Sequence, residues 1–230
     1  MRNLINMKRH NDILELLKTK SSAKQEVYRI TRSVFEDFNE VLKDKIDVLS
    51  KEMLSKDQSV ELEYISKGNF ESHIRFSGDR LIFHMHSNVF DFDKSHEIHK
   101  TSYVKDDHMR SFCGVIHVYN FLNDSFKHNR FNDVGNLVAR IFINKERHYF
   151  VEGEQHLGFL FNDFVNQIIN KESITSIIEE VILFTLNFDL LTPNMNDVKL
   201  VNVHQVLDMN QNHKLRTSKS LGFKFSHENK

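Results

Sequence analysis

Two hydrophobic periods divide this chain near residue 58. Before it, apolar side chains recur every three or four positions; after it, they alternate with polar ones. Residues 10–18 predict one short helix. Ser22, with Gln25 three residues on, has the spacing of a capping box and predicts a fresh helix start. Beyond it Val27, Ile30, Val34, Phe38, Val41, Leu42, Ile46, Leu49 and Met53 fall on one side of a helix of about 30 residues. That stripe can lie on the protein's own sheet, pack against the first helix, or pair with another chain.

The alternating part begins with VELEYI at 60–65. It continues in ESHIRFSGDRLIFHMHSN at 71–88, where Gly78-Asp79 between two alternating runs predicts a tight hairpin. With those two residues in the turn, Phe76 faces Leu81, Ile74 faces Phe83 and Ser72 faces Met85. On the other pleat Arg75 faces Ile82, His73 faces His84, and Glu71 faces His86. Residues 88–110 are polar and predict a long loop with a short helix. GVIHVYNFL (114–122) predicts a strand, and LVARIFINKERHYFVEG a second hairpin turning near Lys145-Glu146. Both of its faces are apolar, which suits the centre of a sheet.

Leu157, Leu160, Phe161, Phe164 and Ile168 predict a helix. Residues 173–190, apolar nearly all round, predict the most buried one, ending before Pro193. VKLVNVHQV (198–206) and LGFKF (221–225) predict further strands. The fold class is therefore α+β: N-terminal helices, one long and amphipathic, then a mainly antiparallel meandering sheet and two C-terminal core helices. The expected organisation is a helical region 1–57 packed on or projecting from the body, an α+β body 58–212, and a basic, flexible tail 213–230.

Composition then narrows the function. Gly occurs 7 times and Pro once, and no Gly-rich phosphate loop, dinucleotide fingerprint or nucleophile elbow is present. The one cysteine, Cys113, excludes an internal disulfide and a multi-cysteine zinc site. His117 lies four residues on, two pleats away if the run is a strand, so a buried thiol is expected rather than a nucleophile. No apolar run approaches the ~18–20 residues of a membrane span. With no signal-peptide pattern at the N-terminus, a cytoplasmic location is expected. Residues 1–24 hold six Lys/Arg and two acids, and residues 213–230 five and one. The net charge of −1 therefore conceals basic ends on an acidic body, which argues against a broad nucleic-acid surface.

The candidate chemistry gathers on the first hairpin. Glu71, His73, Arg75, His84 and His86 form the expected ligand-binding pleat. Its three histidines are candidate ligands for a divalent metal such as zinc, with His96, His99 or His108 as a fourth. His96-Glu97-Ile98-His99 has the wrong histidine spacing for the HExxH motif. The carboxylate pairs Asp91/Asp93, Asp106/Asp107 and Glu179/Glu180 are expected to be solvated charges. Glu152, Glu154 and His156 sit where a strand feeds a helix, a place where sites often form.

Three functions follow, in order of preference. The first is a non-catalytic cytoplasmic binding or protein-interaction module, with a protein partner or self-association through residues 22–54 and no membrane contact. The second is a metal- or histidine-dependent hydrolytic enzyme on the 71–86 hairpin. The third is a weak nucleic-acid accessory using the basic termini.

Overall fold

The computed structural model describes residues 2–153, 156–189, 192 and 194–204. One helix dominates its N-terminal part. Helix α1 (Arg2–Leu16) runs without a break through a π-helical turn (Leu17–Ser21) into α2 (Ser22–Leu54). Ser22 is thus not an N-cap. Its backbone is already helical, and its hydroxyl donates back to the Leu17 carbonyl at 3.1 Å. With no Gly or Pro between residues 16 and 22, nothing local ends the helix there. A wider turn absorbs the irregularity.

The two parts of this helix have different surroundings. Residues 7–22 are exposed all round, while Val27, Thr31, Val34, Phe35, Phe38, Leu42 and Ile46 are buried. The amphipathic stripe of 22–54 therefore lies on the protein's own sheet, and the helical region both packs and projects.

The sheet has six antiparallel strands in sequence order: β1 (Leu62–Ser66), β2 (Glu71–Phe76), β3 (Asp79–Met85), β4 (Cys113–Leu122), β5 (Asn136–Asn144) and β6 (Tyr149–Gly153). Its inner face presents Ile74, Leu81, Phe83, Ile116, Ile141 and Val151 to α2 and to α6 (Lys171–Leu186). Asn170 and Ser173 close a reciprocal capping box at the start of α6, which fixes where that helix begins. Ion pairs Arg147–Asp37 (2.9 Å), Lys171–Glu40 (2.8 Å) and Lys45–Glu179 hold α6 and the β5–β6 turn along α2.

The first hairpin turns one residue earlier than expected. Phe76 pairs with Asp79 across Ser77-Gly78, and the positive φ of 53° falls on Ser77. Neighbouring chain sets this turn: the Ser77 N–H donates to the Glu61 carbonyl, and the Gly78 carbonyl accepts from the Asn123 N–H. The pairing shifts by two residues, so both pleats keep their membership. Their partners change, and Glu71, not His73, faces His84.

The second hairpin forms as expected but lies at the end of the sheet, with β6 on the edge. Its outer face is apolar because another layer covers it. That layer comprises residues 88–111, with α3 (Ser102–Asp106) between two 3₁₀ turns, and Phe164. The helix expected over 157–168 shrinks to one turn, α5 (Leu157–Leu160). Residues 161–169 instead run beside β6, accepting from the Val151 N–H at the Phe161 carbonyl and from the Tyr149 N–H at the Gln167 carbonyl. Unpaired edge groups compete for this segment and close the edge.

A short helix α4 (Asn123–Lys127) folds over the opposite end of the outer face. Beyond α6, α7 (Met195–Val198) is followed by residues 199–204, which form no strand. The remainder of the expected 198–206 strand, the 221–225 strand, Pro193 and the 213–230 tail lie outside the described residues.

Candidate functional site

Alternation sends every second residue of β2–β6 to the outer face, and the registers align these residues into rows. One row crosses five strands: Glu71, His84, His117, Arg140 and Glu152. The next row holds His73, Ile82 and Tyr119, with Leu137 beyond a bulge in β4–β5. Beyond β3, His86 donates its backbone N–H to the Val115 carbonyl. Its ring comes within 6.2 Å of His117 and 4.8 Å of Phe90, centre to centre.

The structure splits the sequence-predicted set. His73 is 3% exposed and lies under Phe126 of α4, with Nε2 2.8 Å from Glu71 Oε1. Burial lowers its pKa, against the opposing pull of Glu71. Arg75 is held by Glu61 at 2.7 Å and Glu63 at 3.2 Å. Glu71, His73 and Arg75 are therefore engaged by neighbours within the sheet, although His73 Nδ1 and Arg75 Nε are buried without a hydrogen-bond partner. Arg80, beside Arg75, donates to Asn123 at 3.0 Å and stacks on Phe126.

His84 and His86 stay partly exposed and meet His117, which the sequence did not connect to them. His117 stands between His84 and Arg140, and its ring lies near-parallel to Tyr119 at 5.7 Å. Its Nδ1 is buried without a hydrogen-bond partner. Burial lowers the His117 pKa first, and His84, His86 and Arg140 push it the same way. His86 Nδ1 accepts from the Asn88 N–H at 2.9 Å, leaving Nε2 as the outward donor. Among the described residues, the His84 ring and the Tyr119 hydroxyl make no side-chain hydrogen bond or ion pair.

Among the described residues no group of three or more His, Cys, Asp or Glu side chains is placed to hold a metal ion. With the register as it stands, His73 faces Ile82 and turns to Glu71. His96 stacks on Phe92 at 4.6 Å and caps the first 3₁₀ turn, and His99 Nε2 meets the Phe92 carbonyl at 3.1 Å. His108 opens the second 3₁₀ turn, under an Asp107 cap. Each proposed fourth ligand thus belongs to the layer covering Phe142 and Phe150, with His99 and His96 serving its internal contacts.

Cys113 is fully buried, and burial pushes its thiol well up, so it is no nucleophile in this fold. Glu152 pairs with Arg140; Glu154 lies outside the described residues. His156 borders a cavity of about 230 Å³ between α5 and α6.

Sequence reasoning also missed a polar clamp. The Tyr103 hydroxyl donates to Glu146 Oε2 at 2.8 Å and accepts from Asn144 Nδ2 at 2.9 Å. Its ring lies between the Arg110 guanidinium, at 4.4 Å, and the His148 ring, at 4.5 Å. Arg110 also donates to Glu146, and Lys145 pairs with Asp107. The clamp's hydroxyl and carboxylate are partnered, which marks it as the fastening between the covering layer and the β5–β6 turn. Its members are some 40 residues apart, so no local pattern could have joined them.

No family model, no curated protein and no solved structure matches this chain, and the site is read from its own geometry.

Proposed function

We propose that this protein is a non-catalytic, cytoplasmic binding module that takes a small phosphate- or carboxylate-bearing ligand on the outer face of its sheet. The carrying observation is the convergence of His84, His86 and His117 from two adjacent strands and the turn after β3, beside Arg140 and Tyr119. Burial first, and then the neighbouring His84, His86 and Arg140, disfavour the protonated form of His117 in the free protein. An anion placed among them offsets their repulsion and accepts their N–H donors. Tyr119 and Phe90 supply flanking ring surfaces.

A hydrolytic role has less support. The thiol is sealed in the core, and no ligand triad converges to activate water among the described residues. The cytoplasmic placement is supported by the single cysteine, a free thiol. Among the described residues no helix is long and apolar enough to cross a membrane.

Isothermal titration of pyrophosphate, a nucleoside triphosphate and citrate, at pH 6 and pH 8, tests the reading. If binding requires His117 to take up a proton, affinity falls by up to about 100-fold across that interval. His117→Ala should abolish the pH dependence and most of the binding. Absence of heat with all three probes at both pH values would overturn the proposal, as would equal affinity in wild type and variant.

A further inference from the structure

We infer that the corner where α2 passes the loop after β3 is a second ligand site, built to take a small hydroxylated anion of the sugar-phosphate class. It uses none of His84, His117 and Arg140, so it does not rest on the outer-face reading.

The site lies just past the irregular turn of the long helix. Residues 17–21 are π-helical, a kind of turn that recurs at functional sites. Beside the first turns of α2, an open cleft of about 620 Å³ separates the helix from the loop after β3. That volume suits a small metabolite. Lys24, Gln25 and Tyr28 form the helical wall, and Ser87, Asn88 and Phe90 the loop wall. A smaller cleft of about 410 Å³ meets it at Gln25 and adds Ser21, Ser22 and Arg29. Both walls are set without any ligand. Phe90 and Cys113 exchange backbone hydrogen bonds of 2.8 Å and 2.9 Å, and His86 Nδ1 accepts from the Asn88 N–H at 2.9 Å. The Lys24 ammonium lies 5.0 Å from the centre of the buried Phe112 ring, which anchors that charge beside the cleft.

Charge and hydrogen-bonding capacity identify the ligand. Among the described residues no acid lines either cleft, and neither Lys24 nor Arg29 makes an ion pair. Further along the same helix the charges are matched: Arg32 with Glu36, Asp37 with Arg147, Glu40 with Lys171 and Lys45 with Glu179. Two unmatched cations flanking one cleft call for an anion. Around them stand the amides of Gln25 and Asn88 and the hydroxyls of Tyr28 and Ser87. None of these four makes a side-chain hydrogen bond among the described residues. Amides and hydroxyls both donate and accept. A bare phosphate only accepts when fully ionised, and would leave the amide carbonyls to water. The hydroxyls of a sugar meet both halves of each amide. Phe90, 38% exposed, adds ring surface for the C–H side of such a ligand.

Isothermal titration in a His117→Ala background tests this, because the outer-face cluster is then disabled. The probes are glucose 6-phosphate, ribose 5-phosphate, glucose and inorganic phosphate. At least one sugar phosphate should bind about tenfold or more tightly than phosphate or glucose. Adding Lys24→Gln or Arg29→Gln should weaken that binding about tenfold each, with an unchanged circular dichroism spectrum. Adding Asn88→Ala, at an exposed position, should narrow the preference for sugar phosphate over phosphate and leave phosphate affinity unchanged. No heat with either sugar phosphate would overturn the inference. So would binding that survives Lys24→Gln and Arg29→Gln together, or phosphate that binds as tightly as both sugar phosphates.

Discussion

Gly114→Ala adds one methyl group where α2 crosses the sheet, and its cost follows from three distances. A Cβ at Gly114 would lie 2.1 Å from Thr31 Oγ1, 2.7 Å from its Cβ and 2.8 Å from its Cγ2. Carbon atoms prefer ~3.5–4.0 Å, so helix and strand would have to separate by roughly 1 Å. Neither moves freely. Thr31 is fully buried on α2, and β4 is hydrogen-bonded on both sides. Overpacking of this kind costs about 1–3 kcal/mol, and the length of the contact places this case at about 2–3 kcal/mol. For a chain of this size that is a fall in Tm of about 4–12 °C.

Urea unfolding followed by circular dichroism would measure it, with two controls. Gly78→Ala, with nothing within 4 Å of the added Cβ and no positive φ, should stay within ~0.5 kcal/mol of wild type. Thr31→Gly costs roughly 0.3–0.5 kcal/mol in helix propensity alone, but removes all three clashing atoms. The double variant should therefore be less destabilised than the sum of its singles, by at least ~1 kcal/mol. If Gly114→Ala matches Gly78→Ala, or the two sites simply add, the close crossing of α2 over β4 is refuted.

Two further predictions concern the outer layer. His73 and His117 both have folded pKa values lowered from the ordinary 6.5, chiefly by burial. Between pH 6.5 and those lowered values the unfolded chain binds more protons, so stability is present above 6.5 and is lost on acidification. Urea midpoints measured from pH 7.5 to 5 should fall, and a flat or rising profile would contradict the placement of these rings. Tyr103→Phe removes the hydroxyl that bridges Asn144 and Glu146 and should cost about 1–2 kcal/mol. Hydrogen exchange should quicken in residues 97–111 and leave the β2–β4 amides unchanged; uniform acceleration would show that the clamp is not local.

The sequence by itself determined which residues face inward. A period of three to four placed Val27, Val34, Phe38, Leu42 and Ile46 against the core, and a period of two sorted Ile74, Leu81 and Phe83 from His73, His84 and His86. Those assignments survived the altered turn because a shift of two residues leaves each pleat intact. The class of fold followed from the same periods, as did the reading of Cys113 as a core thiol.

Tertiary structure alone decided who meets whom. Contacts from Glu61 and Asn123 moved the hairpin turn and separated His73 from His84. The order of strands brought His117, Tyr119 and Arg140 to His84, and the free edge of β6 drew residues 161–169 out of a helix. The long helix passed Ser22 because no local breaker stopped it. Periodicity is a property of neighbouring residues and is legible in order. Register, edges and clamps depend on hydrogen-bond partners tens of residues away, whose approach only the packed chain fixes.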